Sequence, residues 1–117
     1  MDRIHIRDLQ VRCIIGVDEH ERREKQDVVV NIVLHTDTRR AGESDRFEDA
    51  VDYRAVKKKV VALVESSRCR LLEALAEQIA RVCLENPAVQ QVEVTVDKPA
   101  ALRFARSVAV EITRQRL

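Results

Sequence analysis

The chain has 117 residues, 21 Lys and Arg against 20 Asp and Glu, a formal net charge of +1 and 45% hydrophobic residues. That length suits one domain spanning residues 1–117. A balance so near neutrality excludes the broad electrostatic footprint of a nucleic-acid or anionic-membrane binder, so any recognition of anions must be local.

Ile4 to Ile15 reads as a first strand. Ile4 and Ile6 alternate in one register, while Leu9, Val11, Cys13 and Ile15 alternate in the other, which predicts a bulge near Arg7 and Asp8. Gly16 opens a charged segment, Asp18 to Lys25, that is too polar for a core. Val28 to Leu34 is apolar at both alternating sets of positions and predicts a strand covered on both faces. Thr36 to Ala50 is polar and turn-rich and reads as a long connection. Tyr53, Val56, Val60, Leu63 and Val64 recur at helical spacing, predicting an amphipathic helix over Asp52 to Glu65 with Lys57, Lys58 and Lys59 on its solvated side. Leu72, Leu75, Ala76, Ile79, Val82 and Cys83 predict a second helix from about Leu71 to Glu85, stopped by Asn86-Pro87. Val92, Val94 and Val96 predict a third strand ending at Lys98-Pro99, and Val108, Val110 and Ile112 a fourth. The order β-β-α-α-β-β is an α+β pattern: a four-stranded, largely antiparallel sheet with both helices on one face.

Aromatic residues are limited to Tyr53, Phe47 and Phe104, so Val, Ile, Leu and Ala must build the core. Such a core is modest for one small subunit, and assembly would bury more. Cys13, Cys69 and Cys83 show no C-x-x-C spacing and fit small buried hydrophobes in a reducing compartment. The segment Met1-Asp2-Arg3-Ile4-His5 lacks an apolar signal region, and no hydrophobic run could span a bilayer, so a cytoplasmic location is expected.

Several chemistries are disfavoured. His5, His20 and His35 lack H-x-x-x-H or H-E-x-x-H context, which argues against a metal site and for solvent-facing or strand-edge positions. With only Gly16 and Gly42, no glycine-built phosphate loop exists. Four residues stand at element ends, where functional groups leave the core: Glu21 after the first strand, Tyr53 opening the first helix, Glu73 in the first turn of the second, and Lys98 closing the third strand.

Ile14-Ile15-Gly16-Val17 followed by Glu21, then Ala50-Val51-Asp52-Tyr53, Arg68-Cys69-Arg70-Leu71-Leu72-Glu73 and Asp97-Lys98-Pro99-Ala100-Ala101 occur in that order. These motifs resemble those of the dihydroneopterin aldolase family along almost the whole chain. The resemblance implies the tunnelling T-fold assembled into tetrameric rings, stacked as homo-octamers, with sites between subunits. It further implies a pterin substrate and no metal or organic cofactor. Glu73 is implied as the pterin anchor, with Leu72, Val51 and Asp52 lining the substrate site. Lys98, Tyr53 and Glu21 are implied as the catalytic group, and Glu21 or Tyr53 of one subunit as completing the pocket of the next. A carboxylate at Glu73 suits the guanidinium-like edge of a pterin, where a ring N–H and an exocyclic amine stand side by side. Lys98 and Tyr53 are the expected acid/base pair.

Gln26-Asp27-Val28-Val29-Val30-Asn31, Asp52-Tyr53-Arg54 and Ala101-Leu102-Arg103-Phe104-Ala105 resemble the triphosphate 2′-epimerase branch of the family, while Lys98-Pro99 with Ala100-Ala101 also resembles the aldolase version. The expectation is epimerisation of dihydroneopterin triphosphate. Aldol cleavage of dihydroneopterin is the alternative, and a non-catalytic binding module the reading of a different class. Arg12, Arg54 and Arg103 are expected to hold a triphosphate tail.

Overall fold

The computed structural model describes residues 1–116. Strands β1 (Asp2–Cys13) and β2 (Gln26–Thr36) form an antiparallel pair, with Ile4 opposite Leu34 and Val11 opposite Val28. Their register shifts between Ile6 and Leu9, where Asp8 adopts φ +55° and its N–H donates to the Asn31 side-chain oxygen at 2.9 Å. The shift keeps both apolar sets of β1 on one face, as the slipped alternation predicts, and Asn31 satisfies the amide freed from the ladder. Strands β3 (Gln91–Lys98) and β4 (Val108–Gln115) complete an antiparallel sheet of order β1-β2-β3-β4.

The connection after β2 contains a short helix α1 (Arg39–Ser44) and a 3-10 turn at Phe47–Asp49, where the sequence shows only loop. Neither buries a residue, so neither leaves an apolar period to read. Helix α2 (Tyr53–Ser66) is capped by Asp52, whose Oδ1 accepts the Ala55 N–H at 3.0 Å. It turns Val56, Val60 and Val64 inward, and α3 (Leu72–Leu84) adds Leu72, Leu75, Ala76, Ile79, Ala80 and Cys83. Both helices cover the sheet face carrying Val28, Val30, Ile32 and Leu34 of β2 and Val92, Val94 and Val96 of β3. Burying each of these aliphatic side chains contributes roughly 1.5–3 kcal/mol.

Two expectations are corrected. β2 is covered on only one face within the chain, because Val29, Asn31 and Val33 lie half-buried on the side that carries no helix. His35 is neither solvent-facing nor at a sheet edge: it is buried in an inner strand, with its Nε2 2.5 Å from Glu93 on the neighbouring strand. A partner at the third residue of β3, 58 positions away in sequence, leaves no local signal. Among the described residues, no helix is long and apolar enough to cross a membrane.

Candidate active site

Alternation along β3 sends Lys98 to the same side as Val92, Val94 and Val96, so this last residue of the strand is only 9% exposed. A buried ammonium needs a counter-charge. Glu21 provides it from the 3-10 turn at His20–Arg22, with Oε2 2.5 Å from Lys98 Nζ. Gln26 Nε2 also donates to Oε2, at 3.2 Å, and is itself anchored on the Ile15 carbonyl at 2.8 Å. The Asp18 N–H reaches Oε1 at 3.3 Å. The bond from Lys98 above all, helped by Gln26 and Asp18 and opposed by desolvation, holds the Glu21 carboxyl down at about 2. Glu21 is therefore an ionised acceptor at neutral pH.

The carboxylate fits because residue 16 is glycine. Gly16 has φ +125°, and a Cβ there would stand 2.3 Å from the Glu21 carboxylate. Arg22 then ties this turn to the loop between α2 and α3. Its guanidinium donates to the carbonyls of Gly16 at 3.0 Å, Cys69 at 3.1 Å and Arg68 at 2.5 Å, while the Gly16 N–H donates to the Cys69 carbonyl at 3.3 Å. Gly16, Arg22 and Gln26 are not among the site residues to which the sequence points. A glycine directly before a charged loop, in a chain with only two, is the available signal for Gly16. Arg22 and Gln26 give none, since the backbone carbonyls and the Glu21 carboxylate that receive their hydrogen bonds leave no pattern in the sequence.

The loop held by Arg22 runs into α3. Glu73 lies in the first turn, exposed, and makes no hydrogen bond or ion pair among the described residues, while Leu72 beside it is buried. The helix has no side-chain cap, so its first N–H groups remain available. Cys69, in the same loop, is half-buried with the Ser67 hydroxyl 3.2 Å from its Sγ. Cys13 and Cys83 are buried, and burial raises the Cys13 thiol and pushes Cys83 up to about 12, as suits inert core residues.

Tyr53 occupies a different region. It opens α2, whose far end at Ser66 enters the loop tied to Gly16, so the 14-residue helix separates Tyr53 from the Glu21 end. At 1.5 Å per residue that separation is about 20 Å. Tyr53 is 55% exposed and borders an open pocket of about 960 Å³ with Phe47, Val51, Arg54, Lys57 and Lys58. Within one chain, then, Glu21 joins Lys98, whereas Tyr53, Val51 and Asp52 cluster elsewhere. The three arginines also part company. Arg12 donates to the Lys25 carbonyl at 3.0 Å and stands 3.7 Å from Asp27; Arg103 lies 5.5 Å over the Phe104 ring; Arg54 faces the Tyr53 pocket. Among the described residues no group of His, Cys, Asp and Glu is placed to hold a metal ion.

Comparison with known proteins points the same way as the motifs. The dihydroneopterin aldolase (FolB) family profile matches residues 4–113. A dihydroneopterin triphosphate 2′-epimerase from Pseudomonas aeruginosa is 41% identical over 116 residues, 99% of this chain and 94% of the relative. A dihydroneopterin aldolase from Streptomyces coelicolor is 46% identical over 101 residues, covering 86% and 85% of the two chains. The crystal structure of Escherichia coli dihydroneopterin aldolase in complex with neopterin superposes with a TM-score of 0.93 at 34% identity, covering 97% of this chain and 99% of that one. With its sheet order, its paired helices and this breadth of similarity, the chain belongs to the dihydroneopterin aldolase family, a family of enzymes.

Proposed function

We propose that the protein is a dihydroneopterin triphosphate 2′-epimerase that inverts the second side-chain carbon by retro-aldol cleavage and re-addition. The observation that carries this reading is the Lys98–Glu21 pair, a nearly buried ammonium held at 2.5 Å by a carboxylate that stays ionised. In the proposed reaction the proton leaves the hydroxyl on the second side-chain carbon and the bond between the first and second carbons breaks. The ring C=N of the dihydropterin accepts the electron pair, so no Schiff base to the enzyme is needed. The aldehyde fragment turns over and the first carbon attacks it on its opposite face, returning the pair to the new bond and a proton to the oxygen. Lys98 and Tyr53 move these protons, and Glu21 orients Lys98. Glu73 grips the pterin edge, and the free N–H groups near Leu72 donate to its carbonyl oxygen.

Tyr53 reaches this chemistry from a neighbouring subunit, because its own chain holds it an α2 length away. Two features of the fold support assembly. β1 and β4 are the two edges of the sheet, which invite pairing, and joining them between copies closes a ring. The radius of gyration, 15.4 Å, also exceeds the roughly 13 Å of a self-contained chain of this length. We propose tetrameric rings stacked as octamers, with Tyr53, Val51 and Asp52 of one copy facing Lys98 and Glu73 of the next.

The second reading is dihydroneopterin aldolase, in which the aldehyde departs and the first carbon is protonated. The 46% identity to the Streptomyces coelicolor aldolase favours it. Steady-state kcat/KM on dihydroneopterin and on its triphosphate, with products resolved by chromatography, separates the two. The expected result is preferential conversion of the triphosphate to its 2′-epimer. Faster release of an aldehyde from the unphosphorylated substrate would make the enzyme an aldolase.

A further inference from the structure

We infer that Arg54, Lys57 and Lys58 form a polyphosphate-binding subsite in the pocket beside Tyr53. This inference rests on the triphosphate reading and gives it a location. The three residues stand at i, i+3 and i+4 on α2 and therefore share one face, and all three line the same pocket. None makes an ion pair or side-chain hydrogen bond among the described residues. The acids near them in sequence are engaged elsewhere, Glu48 with Arg46 at 3.1 Å and Asp49 with Arg40 at 3.0 Å, and Glu85 at the end of α3 pairs with Lys59 at 3.2 Å. The one carboxylate lining the pocket, Asp52, commits Oδ1 to capping α2. Three adjacent like charges repel one another, and a ligand carrying several oxyanions relieves that repulsion. The chain's net charge is only +1, so this is a local concentration of positive charge rather than part of a basic surface.

The chemistry favours phosphate groups in series. Arg54 offers a planar fork to one phosphate, and Lys57 and Lys58 offer point charges to its neighbours. Phe47, Val51 and Tyr53 supply a partly apolar wall that strengthens these attractions by displacing water. Arg12 and Arg103, with a local acid and a local aromatic ring as partners, are outside this set. Because Tyr53 borders the same pocket, a phosphate tail bound here leaves the attached side chain beside the tyrosine.

Calorimetric titration of the assembled protein with inorganic tripolyphosphate tests the subsite directly, using Arg54→Gln and a Lys57→Gln/Lys58→Gln double variant. Both are checked for native mass and circular dichroism. Wild type is expected to bind one tripolyphosphate per chain, with affinity falling about tenfold per cation removed and weakening as salt rises. The ratio of kcat/KM for the triphosphate over the unphosphorylated substrate should fall in parallel. Unchanged tripolyphosphate affinity in either natively assembled variant overturns the subsite, even if wild type prefers the triphosphate. Loss of that affinity in the variants upholds the subsite, even if wild type proves to prefer unphosphorylated dihydroneopterin, an outcome that refutes the epimerase reading alone.

Discussion

The two ends of the helical layer are built on opposite principles. At the Lys98 end the buried charges have internal partners: Glu21 receives Lys98, Gln26 and the Asp18 amide, Gly16 makes room for it, and Arg22 ties the turn to the loop before α3. At the Tyr53 end the aromatic ring and three cations line an open pocket without satisfying one another. On the proposed reading, the groups that hold or transfer a proton are preorganised by the fold, whereas those that would receive a ligand or a neighbouring subunit are left unpaired. Glu73 differs from the paired charges: it is exposed and makes no ion pair among the described residues, which suits the anchoring role proposed for it.

The strongest way to sharpen this contrast is to remove one group of each kind. Lys98→Ala is expected to cut turnover about 100- to 10,000-fold, the range for losing a positioned acid/base group, while equilibrium binding of neopterin persists. Glu73→Ala should instead weaken neopterin binding by about 1.5–3 kcal/mol, the contribution of a charge-assisted hydrogen bond. If both variants lost binding and turnover in the same proportion, the division of roles would be wrong. Next, Tyr53→Ala and Lys98→Ala chains, each nearly inactive alone, can be unfolded together and reassembled. Sites shared between copies predict recovery to about a quarter of wild-type turnover at equal mixing, since that share of interfaces pairs an intact Tyr53 with an intact Lys98. No recovery in properly assembled hybrids would mean that Tyr53 serves its own chain.

A smaller change probes the closed end alone. Gly16→Ala combines an unfavourable φ with a methyl group in the space of the Glu21 carboxylate. It is expected to destabilise the fold by about 1–3 kcal/mol in urea unfolding, with turnover falling further than stability because Glu21 must leave Lys98. Turnover matching wild type would show that the pair tolerates displacement. The smallest effect is on acid stability. The folded Glu21 carboxyl lies at about 2, below the ordinary carboxyl value near 4.3 of the unfolded chain. Its contribution is therefore complete above roughly pH 5 and is lost as pH falls towards 2. Glu21→Gln should flatten that part of the stability-pH curve in chemical unfolding; a curve unchanged in shape would deny the pair any role in it.

Most of the fold is legible in the amino-acid order. The helical periods of α2 and α3, the alternation in β3 and the slip in β1 each lie within one segment and predict their elements to within a few residues. α1 is hidden because it buries nothing, and the uncovered face of β2 is indistinguishable from the covered one because its valines look alike on both. Glu21, Tyr53, Glu73 and Lys98 stand out as residues at element ends, but their grouping does not. That Glu21 meets Lys98 of its own chain, while Tyr53 lies away from both, depends on which end of a helix meets which end of a strand.

Sequence alone thus determined the four strands and the two long helices, their order and the residue types at their ends, because side-chain periodicity and capping act over a few neighbours in the chain. Only the tertiary structure decided which of those residues meet. The Glu21–Lys98 bond spans 77 positions and the Arg22–Cys69 bond 47. Contacts at such separations are set by how the helices settle on the sheet, where burial of the aliphatic core selects one packing and brings polar partners together as its consequence.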